Sequence, residues 1–314
     1  MPKIPTATGL AGIQALWNST VRPLVGPDGA IAIPEIGEIA LLVPSAVAQE
    51  AYTALSPAPG LALSIGDLVI SALAAGKLDL VALLFESAIG IPREDFSDDR
   101  IGLHRSRIVD MAVKASWHPH QLLAATLAAN PLAFDGTALF ADSRTGSIVG
   151  SFDNNLTPAM AASTAPTVAE METAIKDAIQ ALLGFTDAKG SPITLGGEFG
   201  ILLPSALKWQ ARACAEDDLL GAAGSTKTNE TKGQFVPRSN PFLASAVTMY
   251  TYVKSAGAKP LILQERETLT TETLGEGSDT WTKQKQAVFA ARARRACAAG
   301  HPGMIVRSVF TYSG

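Results

Sequence analysis

Charged side chains are scarce in this sequence: they make up 17% of its 314 residues, against about 25% in an ordinary soluble domain. With 47% apolar residues and a mean hydropathy of +0.21, a disordered chain is excluded. Part of the surface is then expected to be covered by something other than water. Cysteine is nearly absent. Cys214 and Cys297 stand 83 positions apart, outside any CxxC or metal-finger spacing, which excludes a disulfide framework and fits a reducing compartment, with one disulfide between them left open. A basic surplus is missing too: 25 Lys and Arg face 29 Asp and Glu, a net charge of -4, which argues against a dedicated nucleic-acid binder. No strongly apolar run reaches the ~18 residues of a membrane-spanning helix; the most apolar stretch, 61–91, is broken by Asp67, Lys77, Asp79 and Glu86. The first twenty residues lack a basic segment followed by an apolar one, so a protein that is neither secreted nor membrane-bound is expected.

Motifs that carry chemistry are equally thin. A phosphate-binding loop needs GxxxxGK[ST], but Gly76-Lys77 is followed by Leu78, with Ser71 in the place of the first glycine. No GxGxxG, GxSxG or HExxH occurs. Ser205 and Lys208 have SxxK spacing, which sets a serine one helical turn from a base. No SDN or KTG accompanies them, and Ser205 behind Pro204 reads as a helix-start residue. His118-Pro-His120 offers two imidazoles to a metal with no third ligand at fixed spacing. The acidic clusters Glu94-Asp95 with Asp98-Asp99, and Glu216-Asp217-Asp218, could pair carboxylates for acid–base work, yet the first sits at a helix start that favours negative charge anyway. No catalytic, cofactor or metal site is expected.

The pattern of the chain is α+β, without repeats or βαβ alternation. Residues 1–46, rich in Pro and Gly, predict an extended arm with a short helix over Leu10–Asn18. Residues 47–92 predict a long projecting hairpin with a turn-rich tip at Ser56–Gly60 and a return strand over Leu78–Ile91; a buried helix over Ile65–Ala75 competes. A helix is expected from Asp98-Asp99 to Trp117, and Pro119 is expected to open a second, ended by Asn130-Pro131. A polar loop or crossover follows, 142–166. Thr167 and Glu170 then form a capping box for a helix ending at Gly184, and a turn spans Asp187–Gly190. A strand over Phe199–Leu203, a helix from Pro204 to about Leu219 and a flexible polar stretch over Gly221–Gly233 come next. Strands are expected at 235–236, 261–264, 268–274 and 304–310.

Charge is unevenly distributed. Residues 30–99 hold ten acidic side chains against Lys77 and Arg93, while 281–314 hold Lys283, Lys285, Arg292, Arg294, Arg295 and Arg307 with no acid. This is either surface patterning or a means of steering the acidic hairpin of one subunit onto the basic end of another; the basic end could instead face enclosed DNA. Asp67, Lys77, Asp79, Glu86, Arg292, Arg294 and Arg295 are the candidate inter-subunit contacts.

Four stretches occur in a telling order: Ile89-Gly-Ile-Pro-Arg-Glu-Asp-Phe-Ser-Asp-Asp-Arg-Ile-Gly102, Phe134-Asp-Gly-Thr-Ala-Leu-Phe140, Gly200-Ile-Leu-Leu-Pro-Ser-Ala-Leu207, and Lys259-Pro-Leu-Ile-Leu-Gln-Glu-Arg266 with Trp281 and Arg294-Arg295 after it. On these, from about residue 10 onward, the chain resembles the capsid subunits of tailed phages, the Hong Kong 97 fold, and more narrowly the major head subunits of Mu-like phages. It departs from them at Asp142-Ser143-Arg144, where members tend to carry a histidine, and at Ala299–Met304, where they tend to carry aromatics. The resemblance implies an arm (1–46) that embraces a neighbour, an extended loop (47–92) that reaches over an adjacent subunit, and a peripheral domain (93–150) with a spine helix. An axial domain (151–256) around five- and six-fold axes and closing strands (257–314) that return to the peripheral domain complete it. It implies a structural protein and no enzyme, without cofactor, forming hexamers and pentamers of an icosahedral shell. The implied partners are further copies of itself, a scaffold, a portal and packaged double-stranded DNA, with a decoration protein left open and no membrane. Assembly in the host cytoplasm and residence in the virion follow. A nanocompartment shell of the same fold, loaded with a cargo enzyme, and a serine hydrolase at Ser205 and Lys208 are the alternatives.

Overall fold

The computed structural model describes residues 6–21, 34–47, 49–55, 75–97, 101–146, 149–222, 225–254 and 257–312. Near the N-terminus Ile13, Trp17 and Val21, spaced four apart, form the buried stripe of α1 (Thr6–Val21), and Trp17 meets Phe289 at 5.4 Å between ring centroids. The helix is longer than the expected 10–18 and lies on its own chain. Pro34, which lacks an amide that a first turn cannot use, opens α2 (Pro34–Ile39), which runs into β1 (Ala40–Pro44). β2 (Gln49–Leu55) and β3 (Ala75–Val81) pair antiparallel as the base of the expected hairpin. Its tip, the competing helix at 65–75 up to Ala74, and Asp67 lie outside the described residues. The return segment is two strands: β3 is followed at Ala82 by β4 (Leu83–Pro92). Gly76 lets β3 approach closely, for a Cβ there would run into the Phe134 carbonyl.

α3 (Arg93–Ser97) and a 3-10 turn over Ile101–His104 precede α4 (Arg105–Ala129). The expected break around Pro119 does not occur, and Pro119 is buried inside one continuous helix. An interior proline costs about 3 kcal/mol in an exposed helix. Here Ile108, Met111 and Ala112 before it and Leu123 and Leu127 after it are buried in core clusters, which offsets that cost. Asn130, in the left-handed region at φ 47, ends the helix as expected.

Short strands β5 (Asn155–Leu156) and β6 (Ala159–Met160) interrupt the polar crossover. α5 (Val168–Gly184) carries the full capping box of Thr167 and Glu170. β7 (Phe199–Leu203) is buried throughout, and after a 3-10 turn α6 (Lys208–Glu216) stops short of the expected Leu219, because β8 (Leu219–Ala222) begins there and pairs with β9 (Ser225–Thr228). The first part of the stretch expected to be a flexible polar loop thus contributes to two paired strands. β10 (Phe235–Ser239), β11 (Thr248–Val253), β12 (Leu261–Leu274), α7 (Asp279–Lys283), β13 (Gln286–Ala299), β14 (Ile305–Val309) and β15 (Thr311–Tyr312) complete the chain.

Two sheets organise these elements. One runs β1-β12-β13-β4, with α4 and α1 over its inner face; the other runs β10-β7-β11-β14-β5, with α5 and α6 packed on it. The C-terminal segment therefore does not return as one block: β12 and β13 join β1 and β4, whereas β14 pairs with β11 in the other sheet. Leu127, Tyr252, Leu261 and Ile305 share a core that welds the two halves.

Candidate functional site

The basic C-terminal strand sits at the middle of the first sheet, and its partners are the acids of β12. Arg295 is 1% exposed and reaches Oε1 of Glu265 with Nε at 2.8 Å and Nη2 at 2.7 Å. Arg294 lies 3.6 Å from Glu267 on the outer side, and Arg292 reaches Glu272 at 3.0 Å and Glu267 at 3.7 Å. Consecutive arginines would normally face opposite sides with only one matched by an acid. A β-bulge between Glu265 and Glu267 inserts Arg266 into β12, so that Glu265 stands opposite Arg295 and Glu267 opposite Arg294. Of the hairpin acids, Glu86 lies beside Arg292 in the ladder, while Asp79 pairs with Lys77 at 2.9 Å, both well exposed. Composition singled out the arginines but missed Glu265, Glu267 and Glu272, although alternating Glu and Thr in β12 carried the signal.

Between α4 and strands β4 and β13 lies a cleft of about 590 Å³, left open because Ala291 and Ala293 are small. Asp110 and Lys114 pair along its α4 rim at 2.7 Å, and the His118 ring lies tilted against Phe85 with centroids 4.2 Å apart. Burial, aided by Arg295, pushes His118 down to about 4, so it is neutral at physiological pH. Leu83 and Leu84, at the free edge of β4, are exposed.

A second node ties the N-terminal segment to the other sheet. The Glu38 carboxylate accepts from Arg238 Nη2 at 2.9 Å and from the Tyr252 hydroxyl at 3.2 Å, and Lys254 lies 3.2 Å away. Burial alone would raise its pKa, but the bonds from Arg238 and Lys254 hold it below the ordinary value.

Residues 29–165, from the arm through the hairpin and α4 to just beyond β6, match the family model described as the Mu-like prophage major head subunit gpT. Over 114 residues the chain is 29% identical to the major capsid protein of Escherichia phage Mu, a match spanning 36% of this chain and 37% of that protein's length. The whole architecture superimposes on the procapsid subunit of bacteriophage JBD30 (TM-score 0.52, 20% identity, 98% of this chain and 76% of that one). It also superimposes on the capsid of cyanophage P-SCSP1u (TM-score 0.58, 11% identity, 90% and 88%). The chain has the Hong Kong 97 capsid fold.

In this capsid fold the candidates for chemistry are dispersed. Ser205 and Lys208 are both exposed, no hydrogen bond joins them among the described residues, and the Lys208 amine lies over the Trp209 ring instead. His118 lines the α4 cleft while His120 lines another cavity with Glu35 and Arg238, and no group of three metal-ligating side chains forms among the described residues. Asp95 is engaged by His104 at 2.6 Å, Glu216 by Arg212 at 2.8 Å, and Asp218 by Lys232. Asp98 and Asp99 lie outside the described residues. Cys214 and Cys297 are free thiols in different cores, pushed by burial to about 12 and about 11, so the open disulfide is not made.

Arg144 and His301, from two stretches far apart in the sequence, meet in space. Arg144 is buried in an ion pair with Asp135, donates to the carbonyls of Ala138 and Leu139, and faces the Phe152 ring. His301 lies close enough that Arg144 adds to burial in lowering its pKa to about 4.

Proposed function

We propose that the chain is the major capsid subunit of a tailed double-stranded DNA phage or prophage, assembling as hexamers and pentamers into a closed shell around the genome. The observation that carries this reading is the match of residues 29–165 to Mu-like head subunits within a fold shared with capsid subunits over nearly the whole chain. Low surface charge and exposed Leu83, Leu84, Trp117, Leu195 and Trp209 suit a subunit with neighbours on several sides; many weak heterologous contacts add up to a stable shell. In this reading residues 47–92 reach over an adjacent subunit, α4 is the spine, and 151–256 meet their copies around the symmetry axes. The protein works as structure and not by catalysis. Scaffold and portal are its further partners, with assembly in the host cytoplasm.

The candidate contacts enter the same proposal with altered roles. Lys77, Asp79 and Glu86, with Asp67, form the hairpin side of the contact. Arg292 and Arg294, partly exposed on the outer face of β13, receive it, and buried Arg295 supports them from behind. Light scattering behind size exclusion, with negative-stain microscopy of the same fractions, tests the function. Rings of five or six, tubes or shells are expected from the chain alone or with its scaffold, and particles from the native source contain DNA. A persistent monomer in both settings refutes the reading, and shells holding an enzyme without DNA replace it with a nanocompartment. Reversing Arg292 and Arg294 to glutamate weakens assembly most at low salt; assembly indifferent to the change at every salt concentration removes the electrostatic contact.

A further inference from the structure

The cleft between α4 and strands β4 and β13, about 590 Å³, has the size of pockets that hold small organic molecules. Its apolar walls are Met111 and Ala115 from α4, Ile89 from β4, Leu269 from β12, and Ala291 and Ala293 from β13. The helix gives it length: Met111, Ala115 and His118 follow one another at helical spacing along one face, a run of about 10 Å. Polar atoms gather toward the His118 end. His118 Nδ1 is buried and has no hydrogen-bond partner among the described residues, and its ring is neutral at physiological pH. The Arg295 guanidinium also lines the cleft; two of its nitrogens face one oxygen of Glu265, and a guanidinium has further N–H groups to donate. A buried nitrogen left dry and unpaired costs free energy, so this end favours an occupant that can bond to it.

Charge decides the kind of occupant. Asp110 balances Lys114, Glu265 balances Arg295, and Glu267 and Glu272 balance Arg292. Arg107 is the lining cation with no ion pair among the described residues, and it is exposed. An ionic head group at the buried end would therefore lose its water without gaining a free counter-charge. An amide or a hydroxyl is donor and acceptor at once and suits either tautomer of His118. We propose that this cleft binds an unbranched aliphatic molecule with an uncharged amide or hydroxyl head, the head at His118 and Arg295 and the chain along Met111, Ala115 and Ala291. The inference concerns the subunit alone and holds whether or not the chain forms shells.

Isothermal titration calorimetry of the full chain with octanamide tests it, with octanoate and octylammonium as charged counterparts of the same length. Octanamide binds saturably, a single molecule per chain, and both ions bind about tenfold or more weakly by comparison. Ala293→Leu puts a branched side chain into the cleft and lowers octanamide affinity about tenfold or more; Ala291→Val takes its place if that variant does not fold. His118→Phe keeps a ring beside Phe85 without the nitrogens, and weakens octanamide about tenfold. Absence of saturable octanamide binding overturns the proposal. So do charged counterparts that bind as tightly as the amide, or an octanamide affinity that the cleft substitutions leave unmoved.

Discussion

Arg294 and Arg295 are adjacent, carry the same charge and each face a glutamate, yet their removal is expected to differ severalfold in cost. Arg295 is 1% exposed and its guanidinium meets Glu265 through two nitrogens at 2.7 and 2.8 Å. Truncating it to alanine leaves the Glu265 carboxylate, itself only 12% exposed, facing the void where the Arg295 guanidinium stood. Breaking a buried pair from one side costs about 3–5 kcal/mol. Arg294 keeps a 3.6 Å contact with Glu267 across a partly wet surface, and such pairs contribute about 0–1 kcal/mol. Urea unfolding of the unassembled subunit, followed by tryptophan fluorescence, reads both from midpoint and slope. Replacing both members of the inner pair, Arg295→Met with Glu265→Leu, should recover most of the loss, because the apolar pair needs no desolvation of charge. The reasoning fails if Arg295→Ala costs no more than Arg294→Ala, or if the double substitution is as unstable as the single one.

Three further outcomes are expected. Glu38, with a depressed folded pKa, contributes stability that is complete above the ordinary carboxylate value of 4.5 and is lost as pH falls through the folded value. The wild type should therefore lose more stability than Glu38→Gln between near-neutral pH and about pH 4, and equal losses in urea midpoints would refute the assignment. With Cys297 at about 11 and Cys214 at about 12, a thiol reagent at mildly alkaline pH should label neither in the folded chain and both after denaturation; rapid labelling of the native protein would contradict the burial. Gly150 has φ +88, and a Cβ there would stand 2.7 Å from the Asp187 carbonyl carbon, whereas Gly136 at φ +77 has open space. Gly150→Ala should then cost about 1–3 kcal/mol more than Gly136→Ala in the same unfolding assay, and equal costs would show that backbone strain alone decides.

Local signals in the sequence translated directly into structure. The capping box of Thr167 and Glu170, the turn at 187–190 and the strand over 199–203 depend on residues within a few positions of one another. β13 was hidden because Gln, Ala and Arg favour helix in isolation. It is a strand because β12 and β4 hydrogen-bond it on both sides, the latter about two hundred residues earlier. β11 was not among the expected strands either, although its β-branched and aromatic residues suit one. At Pro119 a local rule was overridden by burial on both sides of the proline. The charge split between the two ends was legible, but the arginines' neighbours within the subunit were not, since a bulge in β12 sets which glutamate faces which arginine.

The central position of β13 also has a consequence in time. A ribosome completes β4 at Pro92 and reaches Ala299 roughly two hundred residues later, an interval of about 10–40 s at ordinary elongation rates. Throughout that interval β1 and β4 have no sheet to join, and the apolar side chains that α1 and α4 will bury against Phe289 have nothing to rest on. The nascent chain presents unpaired strand edges in a polysome where sister chains expose the same ones. For the self-assembling subunit proposed above, finishing the fold last at its centre keeps the half-made chain from having the surfaces of the finished one.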